Sequence, residues 1–303
     1  DKELRSVLKT MFDGCGTITE ALRKELVTVA EKQASVFGDV QLGVDVLADD
    51  LMWDICKTEP LIQAGASEEE PEVREMHKDG KFCVCWDPLD GSSIIDNNWA
   101  CGTILGIWPA STGILGATGR DQATSMVALY GPRTTVFVAL DDGVYEFTYG
   151  ANGQEGWLCS RERIEISADS KIFSPANLRV AQDSPQYAKL VDYWMENRYT
   201  LRYTGGLVPD ICQQFTKQMG VFANPTSDKS PAKLRLAFEA APFGLLVEKA
   251  GGKTSDGVSG GSILDVKITG IDQRTPLCIG SANEVDRFNE YLECDDDGCN
   301  TSK

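Results

Sequence analysis

Asp87-Pro88-Leu89-Asp90-Gly91-Ser92-Ser93 sets two carboxylates three residues apart, directly ahead of a Gly-Ser-Ser turn. Carboxylate oxygens suit hard divalent cations, and consecutive backbone N–H groups at the start of a turn or helix suit phosphate oxygens. One short segment therefore offers both halves of metal-dependent phosphoryl chemistry. Taken alone, the same residues also describe a surface turn capped by aspartate. Asp39 and Asp45 bracket the start of a helix, where the macrodipole by itself favours acids. Glu68-Glu69-Glu70, ahead of Pro71, is by itself a solvated loop. His77 is the single histidine, which sets aside Ser-His-Asp hydrolysis and histidine-rich metal sites. A cation site made of carboxylates is the economical reading.

Such acids need rigid elements behind them. The apolar run Phe82-Cys83-Val84-Cys85-Trp86 has strand character, and Pro88, lacking an N–H, is expected to stop it. Helical spacing of apolar residues predicts helices over 18–34, with Thr17 as its cap, and over 44–55. Residues 103–108 and 134–140 read as buried strands and 143–148 as a hairpin partner, while 123–130 fits helix or strand. In the second half a strand near Ile172-Phe173 precedes a helix over 185–197. A helical region over 232–250 is expected to be interrupted by Pro242 and ended by Gly251-Gly252, with Arg235 and Glu239 spaced for an intrahelical ion pair. Charge density rises and the apolar pattern lapses over 160–171, which predicts two domains, 1–168 and 169–303.

With 303 residues the chain can bury a sizeable core, and 42% apolar with 25% charged residues is ordinary for a globular protein. No run approaches the about 18 apolar residues of a membrane span. A net charge of −17, from 29 basic and 46 acidic residues, argues against nucleic acid as a partner but leaves a small phosphorylated ligand open. Ten cysteines without a C-x-x-C pair read as reduced thiols, with Cys83 and Cys85 packing on one strand face. Cys294 and Cys299 flank an acidic stretch, 295–298, expected to be a mobile tail. Neither G-x-G-x-x-G nor G-x-x-x-x-G-K-[ST] occurs, so no dinucleotide or P-loop site is indicated.

The segment from Asp87 to Asp96, with Ser67-Glu68-Glu69 upstream and Lys233-Leu234-Arg235-Leu236 leading to Glu239 downstream, resembles the fructose-1,6-bisphosphatase family of sugar phosphatases. The resemblance spans about Phe37 to Phe288. It implies an α/β architecture, α+β layered, in which helices alternate with mixed sheets. Gly119-Arg120-Asp121-Gln122, Tyr130-Gly131-Pro132-Arg133-Thr134-Thr135 and Thr200-Leu201-Arg202-Tyr203-Thr204-Gly205-Gly206 resemble the sedoheptulose branch of that family rather than the fructose branch.

Position by position, the resemblance implies that Glu68, Asp87, Asp90, Glu239 and the Leu89 carbonyl hold two or three magnesium ions, with manganese an acceptable substitute. Glu69, Asp39 and Asp45 would help hold a further ion and activate the attacking water. Gly91, Ser92 and Ser93 would receive the scissile phosphate and Arg235 would contact it. Asn177, Tyr203, Asn224 and Lys233 would serve the distal phosphate. The fructose enzymes usually carry two tyrosines there, and Val180 with Asn224 would leave room for a seven-carbon sugar. Arg202 would reach a neighbouring subunit's site, implying a homodimer or homotetramer. Lys81-Phe82 and Pro109 depart from the family's AMP site, so AMP inhibition is not expected. Gln33-Ala34-Ser35-Val36 stands where plastid members carry a redox-active Cys-Gly-Gly-Thr-Ala-Cys loop, which favours a cytoplasmic enzyme over a differently regulated plastid one. The sequence begins at Asp1, so a removed targeting peptide stays open.

Overall fold

The structure is a computed structural model whose described backbone comprises residues 1–24, 29–34 and 40–293; Asp39, Cys294, Cys299 and the acidic stretch 295–298 lie outside it. The chain opens with α1 (Lys2–Leu22), a two-stranded pair β1 (Val29–Ala34) and β2 (Val40–Leu42), and α2 (Gly43–Thr58). An eight-stranded sheet follows, from β3 (Ile62–Ser67), β4 (Glu70–Glu75), β5 (Phe82–Asp90), β6 (Cys101–Pro109), β7 (Thr124–Tyr130), β8 (Thr134–Leu140), β9 (Gly143–Tyr149) and β10 (Trp157–Ile164). A four-residue helix, α3 (Ser92–Ile95), lies between β5 and β6. The sheet order is β10-β9-β8-β7-β6-β5-β3-β4, an antiparallel meander except where β3 runs parallel to β5. The second half interleaves β11 (Ile172–Pro175), α4 (Pro185–Glu196), β12 (Thr200–Leu201), α5 (Leu207–Lys217), β13 (Val221–Asn224), α6 (Ala241–Lys249), β14 (Lys253–Ser255), β15 (Leu277–Gly280) and α7 (Ala282–Glu293). Its mixed five-stranded sheet has the order β12-β11-β13-β15-β14.

Alternation of side chains along the strands turns these elements into layers. Val84 and Trp86 of β5 pack with Leu105 and Ile107 of β6 against Val7, Met11, Cys15 and Ile18 of α1 and Met52 and Trp53 of α2. Cys83 and Cys85 point to the opposite face, where Val127 and Phe137 meet Ile211 and Phe215 of α5 and Phe243 and Leu246 of α6. The far side of that helical layer rests on Phe222, Leu277 and Ile279 of the second sheet. The second sheet's outer face takes Tyr187, Leu190 and Trp194 of α4 and Phe288 of α7. Helix, sheet, helix, sheet, helix is the expected alternation. The eight cysteines among the described residues are free thiols, and Cys83 and Cys85 share one face as expected.

Four sequence readings change. Helix α1 begins at residue 2 and ends at Leu22, rather than running over 18–34. Asp1 caps it by accepting from the Glu3 N–H at 2.8 Å, and Thr17 is interior, its hydroxyl donating to the Asp13 carbonyl at 3.0 Å. The apolar stripe Val7, Met11, Cys15, Ile18 starts well before the stretch the reading assumed, and residues 29–34 of that stretch form β1. Pro88 does not stop β5, because the ladder with β6 loses register between Asp87 and Asp90, so the missing N–H falls in a bulge. Residues 123–130, ambiguous in sequence, are strand β7. Pro242 opens α6 in its first turn, where a missing N–H costs nothing, instead of interrupting a helix; residues Leu236–Ala240 before it form a single π turn.

Candidate active site

Parallel pairing of β3 with β5 puts Ser67 opposite Trp86, so the next residues, Glu68 and Asp87, stand side by side at one end of the sheet. The Glu68 N–H donates to the Trp86 carbonyl at 3.0 Å and fixes that register. Glu239 arrives from the π turn, a helical irregularity that frequently marks functional positions. Carboxylate oxygens of Glu68, Asp87 and Glu239 lie within 4.8 Å of one another. Asp90, at the end of β5, accepts from the Val208 N–H at 2.7 Å, in the first turn of α5. Asp87 turns back on its own strand and accepts from the Leu89 N–H at 3.0 Å.

Asp49 of α2 braces this end of the sheet. Its Oδ1 accepts from the Ser67 hydroxyl at 2.5 Å and from Trp86 Nε1 at 3.0 Å, and its Oδ2 accepts from Trp53 Nε1 at 3.1 Å. One buried carboxylate thus ties down the residues immediately preceding Glu68 and Asp87. Asp45, one turn earlier on α2, is also buried and belongs to the same acidic neighbourhood through its repulsion of Glu69.

Arg235 is the cation woven into the cluster. Its guanidinium pairs with Glu68, while its backbone N–H donates to the Glu239 carboxylate. The expected intrahelical pair between Arg235 and Glu239 is therefore replaced, because Arg235 precedes the π turn as its cap and its side chain is turned toward β3.

Burial and mutual repulsion raise the carboxyl pKa values throughout. Burial, then Glu68, Asp90 and Glu239, hold Asp87 well above the usual range; burial, then Glu68, does the same to Glu239. Burial pushes Asp90 up to about 7, against the opposing pull of the α5 amides. Glu69 is pushed up to about 7, first by burial and then by Asp45, Glu68 and Asp49. Acids crowded in this way are stabilised in their charged form by a hard divalent cation, and the donor set, oxygen only, fits one.

Beside the acids opens a cavity of about 210 Å³, lined by Asp90, Asn177, Arg179, Tyr203, Asn224 and Lys233 among others. Asp90 lines this cavity while its charge acts on Asp87 and Glu239 of the cluster. Asn177 sits at φ 48, a left-handed conformation that Asn tolerates, and its amide nitrogen donates to the carbonyls of Pro225 at 2.9 Å and Ser230 at 2.8 Å. Asp210, fully buried in the first turn of α5, accepts from the N–H groups of Thr204 at 2.7 Å and Gly205 at 3.0 Å, holding the turn that follows Tyr203. Gly91, at φ 96, caps α3, leaving Ser92 and Ser93 in that helix's first turn beside the acids of β5.

Not every expected residue joins the cavity. Val180 is packed in the outer core with Tyr187 and Leu190. Arg202 is exposed beyond edge strand β12 and is absent from the cavity lining. Arg179, Asp210 and Asp49 were not singled out by sequence; Arg179 carried a signal in lying two residues from Asn177, whereas Asp49 and Asp210 looked like ordinary helix acids.

Fold and site together define a layered α/β protein built around a carboxylate cluster beside a polar, partly basic cavity. Residues 1–161 match the family profile described as the N-terminal domain of fructose-1-6-bisphosphatase, and residues 166–293 match its C-terminal domain. The chain belongs to the fructose-1,6-bisphosphatase family.

Among its relatives, the chloroplastic sedoheptulose-1,7-bisphosphatase of Spinacia oleracea is 46% identical over 262 residues, covering 85% of this chain and 66% of the relative. The Chlamydomonas reinhardtii protein of the same name is 43% identical over 294 residues, covering 96% and 74%. This chain thus spans roughly two thirds of the spinach relative's length. A Toxoplasma gondii structure, provisionally named a sedoheptulose-1,7 bisphosphatase, superposes with a TM-score of 0.90 at 44% identity, covering 96% of this chain and 94% of that one. The holo form of Leishmania major fructose-1,6-bisphosphatase gives 0.88 at 29% identity, covering 96% and 95%. Among the described residues no helix is long and apolar enough to cross a membrane.

Proposed function

We propose that this protein hydrolyses the 1-phosphate of sedoheptulose 1,7-bisphosphate in the presence of magnesium, releasing sedoheptulose 7-phosphate and phosphate. The carrying observation is that Asp90, whose charge acts on Asp87 and Glu239 of the carboxylate cluster, also lines the adjoining, partly basic cavity. A bisphosphate lying across that junction has one phosphate at the acids and the other among the cavity's donors. Glu68, Asp87, Glu239, Asp90 and the Leu89 carbonyl would hold the cations, with Asp39 and Asp45 assisting. Bound magnesium would offset phosphate charge and lower the pKa of water from about 15.7 toward 7. Glu69 is the base: its carboxyl, displaced toward neutrality, accepts the proton of the attacking water. Arg235 and the Gly91, Ser92 and Ser93 amides face the charge that builds on the transferring phosphoryl oxygens. Lys233, Tyr203 and Asn224 bind the distal end.

The similarity to relatives named for sedoheptulose supports the seven-carbon sugar, and fructose 1,6-bisphosphate is the second reading on the family's evidence. Residues 1–168 and 169–303 are proposed as its two domains. The exposed Arg202, just beyond edge strand β12, fits a role across a subunit boundary, so a homodimer or homotetramer is proposed. The plastid names of the plant and algal relatives favour the plastid, against the cytoplasmic reading drawn from the absent cysteine loop. Phosphate release from both sugars, at matched magnesium, tests the assignment. A clear preference for the six-carbon substrate overturns the choice of sugar, and no magnesium-dependent release from either overturns the reaction class.

A further inference from the structure

Resting on that reading, we propose that Arg179 is a specificity-determining residue, the outer anchor for the distal phosphate of the longer sugar. The positions expected to hold that phosphate do not suffice. Asn177, one of them, has both amide N–H groups engaged by the carbonyls of Pro225 and Ser230, and Val180, in place of a tyrosine, offers no donor. An amide nitrogen has two N–H donors, and both neighbours are pure acceptors, so the assignment of nitrogen and oxygen is forced. Asn177 has no donor left for an anion. Its oxygen faces the other way and accepts from Arg179 Nη2 at 3.4 Å, a contact that holds the guanidinium at the cavity rim.

Arg179 and Lys233 are the basic side chains among the described residues lining that cavity. Arg179 is exposed, whereas Asn224 is buried, so the guanidinium stands on the solvent side of Asn224 in the cavity wall. One additional carbon carries a terminal phosphate outward by about one bond projection, toward the rim. A guanidinium offers a planar, permanently charged fork suited to phosphate, and it supplies donors where a fructose-type site would use tyrosine hydroxyls. Nearby Tyr203 completes the same wall.

The test uses the full chain with magnesium and three substrates: sedoheptulose 1,7-bisphosphate, fructose 1,6-bisphosphate and fructose 1-phosphate, which lacks the distal group. Arg179→Ala is expected to raise KM for the seven-carbon bisphosphate by about tenfold to a hundredfold, the range for a lost charge-assisted hydrogen bond, with kcat little changed. The effect should be smaller for the six-carbon bisphosphate and absent for fructose 1-phosphate, and Arg179→Lys should recover part of it. An unchanged KM, an equal loss on fructose 1-phosphate, or a larger loss on the six-carbon sugar overturns the assignment. Calorimetric binding of sedoheptulose 7-phosphate to wild type and Arg179→Ala reads the same subsite without turnover. Equal affinity there overturns it even if the unsubstituted protein hydrolyses neither bisphosphate, an outcome that separately sinks the proposed reaction.

Discussion

Arg235 and Glu239 are bonded through the backbone of one and the side chain of the other: the Arg235 N–H donates to the Glu239 carboxylate, leaving the guanidinium for Glu68. A single residue thereby joins β3 to the π turn and neutralises part of a cluster that otherwise repels itself. Arg235→Met keeps the bulk and removes the charge. Because Arg235 is buried, metal-free stability is expected to fall by about 3–5 kcal/mol, the cost of breaking a buried pair. Urea unfolding with and without magnesium measures it, and added magnesium should recover part of the loss; no change in the metal-free midpoint contradicts the role.

Glu69→Gln retains the shape and hydrogen-bonding capacity of the side chain but cannot take a proton. Turnover is expected to fall by about 10²–10⁴, with thermal stability preserved or raised. Near-normal turnover would show that another group activates the water.

Acid crowding also makes the metal-free protein sensitive to pH in an unusual direction. Glu69 moves from 4.5 in the open chain to about 7 when folded, and Asp90 from 3.8 to about 7, in both cases mainly through burial. The folded state therefore keeps protons that the unfolded state has already lost, so stability falls as pH rises through the interval between these values. Chemical denaturation of metal-free protein across that interval should show a declining midpoint. Saturating magnesium should flatten the decline, because the cation favours the charged carboxylates that the fold disfavours.

Asp49 touches Ser67, Trp86 and Trp53 but is one residue removed from both Glu68 and Asp87. Asp49→Ala leaves three buried donors without their acceptor and is expected to cost about 1–3 kcal/mol per orphaned donor at most. The more telling measurement is magnesium affinity by titration, which should weaken as the strand ends loosen. Unaltered affinity in a folded variant would confine Asp49 to stability.

Much of the fold could be read from the sequence because strand alternation is local: Val84 and Trp86 against Cys83 and Cys85 already sort two faces of β5. What could not be read was pairing. Nothing near residues 29–34 announces that β2 will pair with them, so helical spacing won by default. Pro88 looked like a stop because the bulge that accommodates it depends on pairing with β6, where the Thr103 hydroxyl, fifteen residues on, donates to the Pro88 carbonyl. The acids were legible as a set through the motifs that flank them, whereas Asp49 and Asp210 act on neighbours that only the folded chain supplies. Arg179 shows the same divide, since its meaning depends on Asn177 being engaged elsewhere.

The helical layer formed by α5 and α6 lies between the two sheets and packs on both. Glu68, just past β3, and Asp87 of β5 lie at the end of one sheet, while Asn224 lies on β13 of the other and Asn177 just past its β11. On the proposed function, the thickness of that shared layer would help set the span between the carboxylate cluster and the distal-phosphate cavity, as in a caliper. Phe137 against Phe215, with ring centroids 5.0 Å apart, is one of its shims. Changing that contact is expected to shift preference between sugars of different length although neither ring approaches a substrate, a selectivity set by packing rather than by touch.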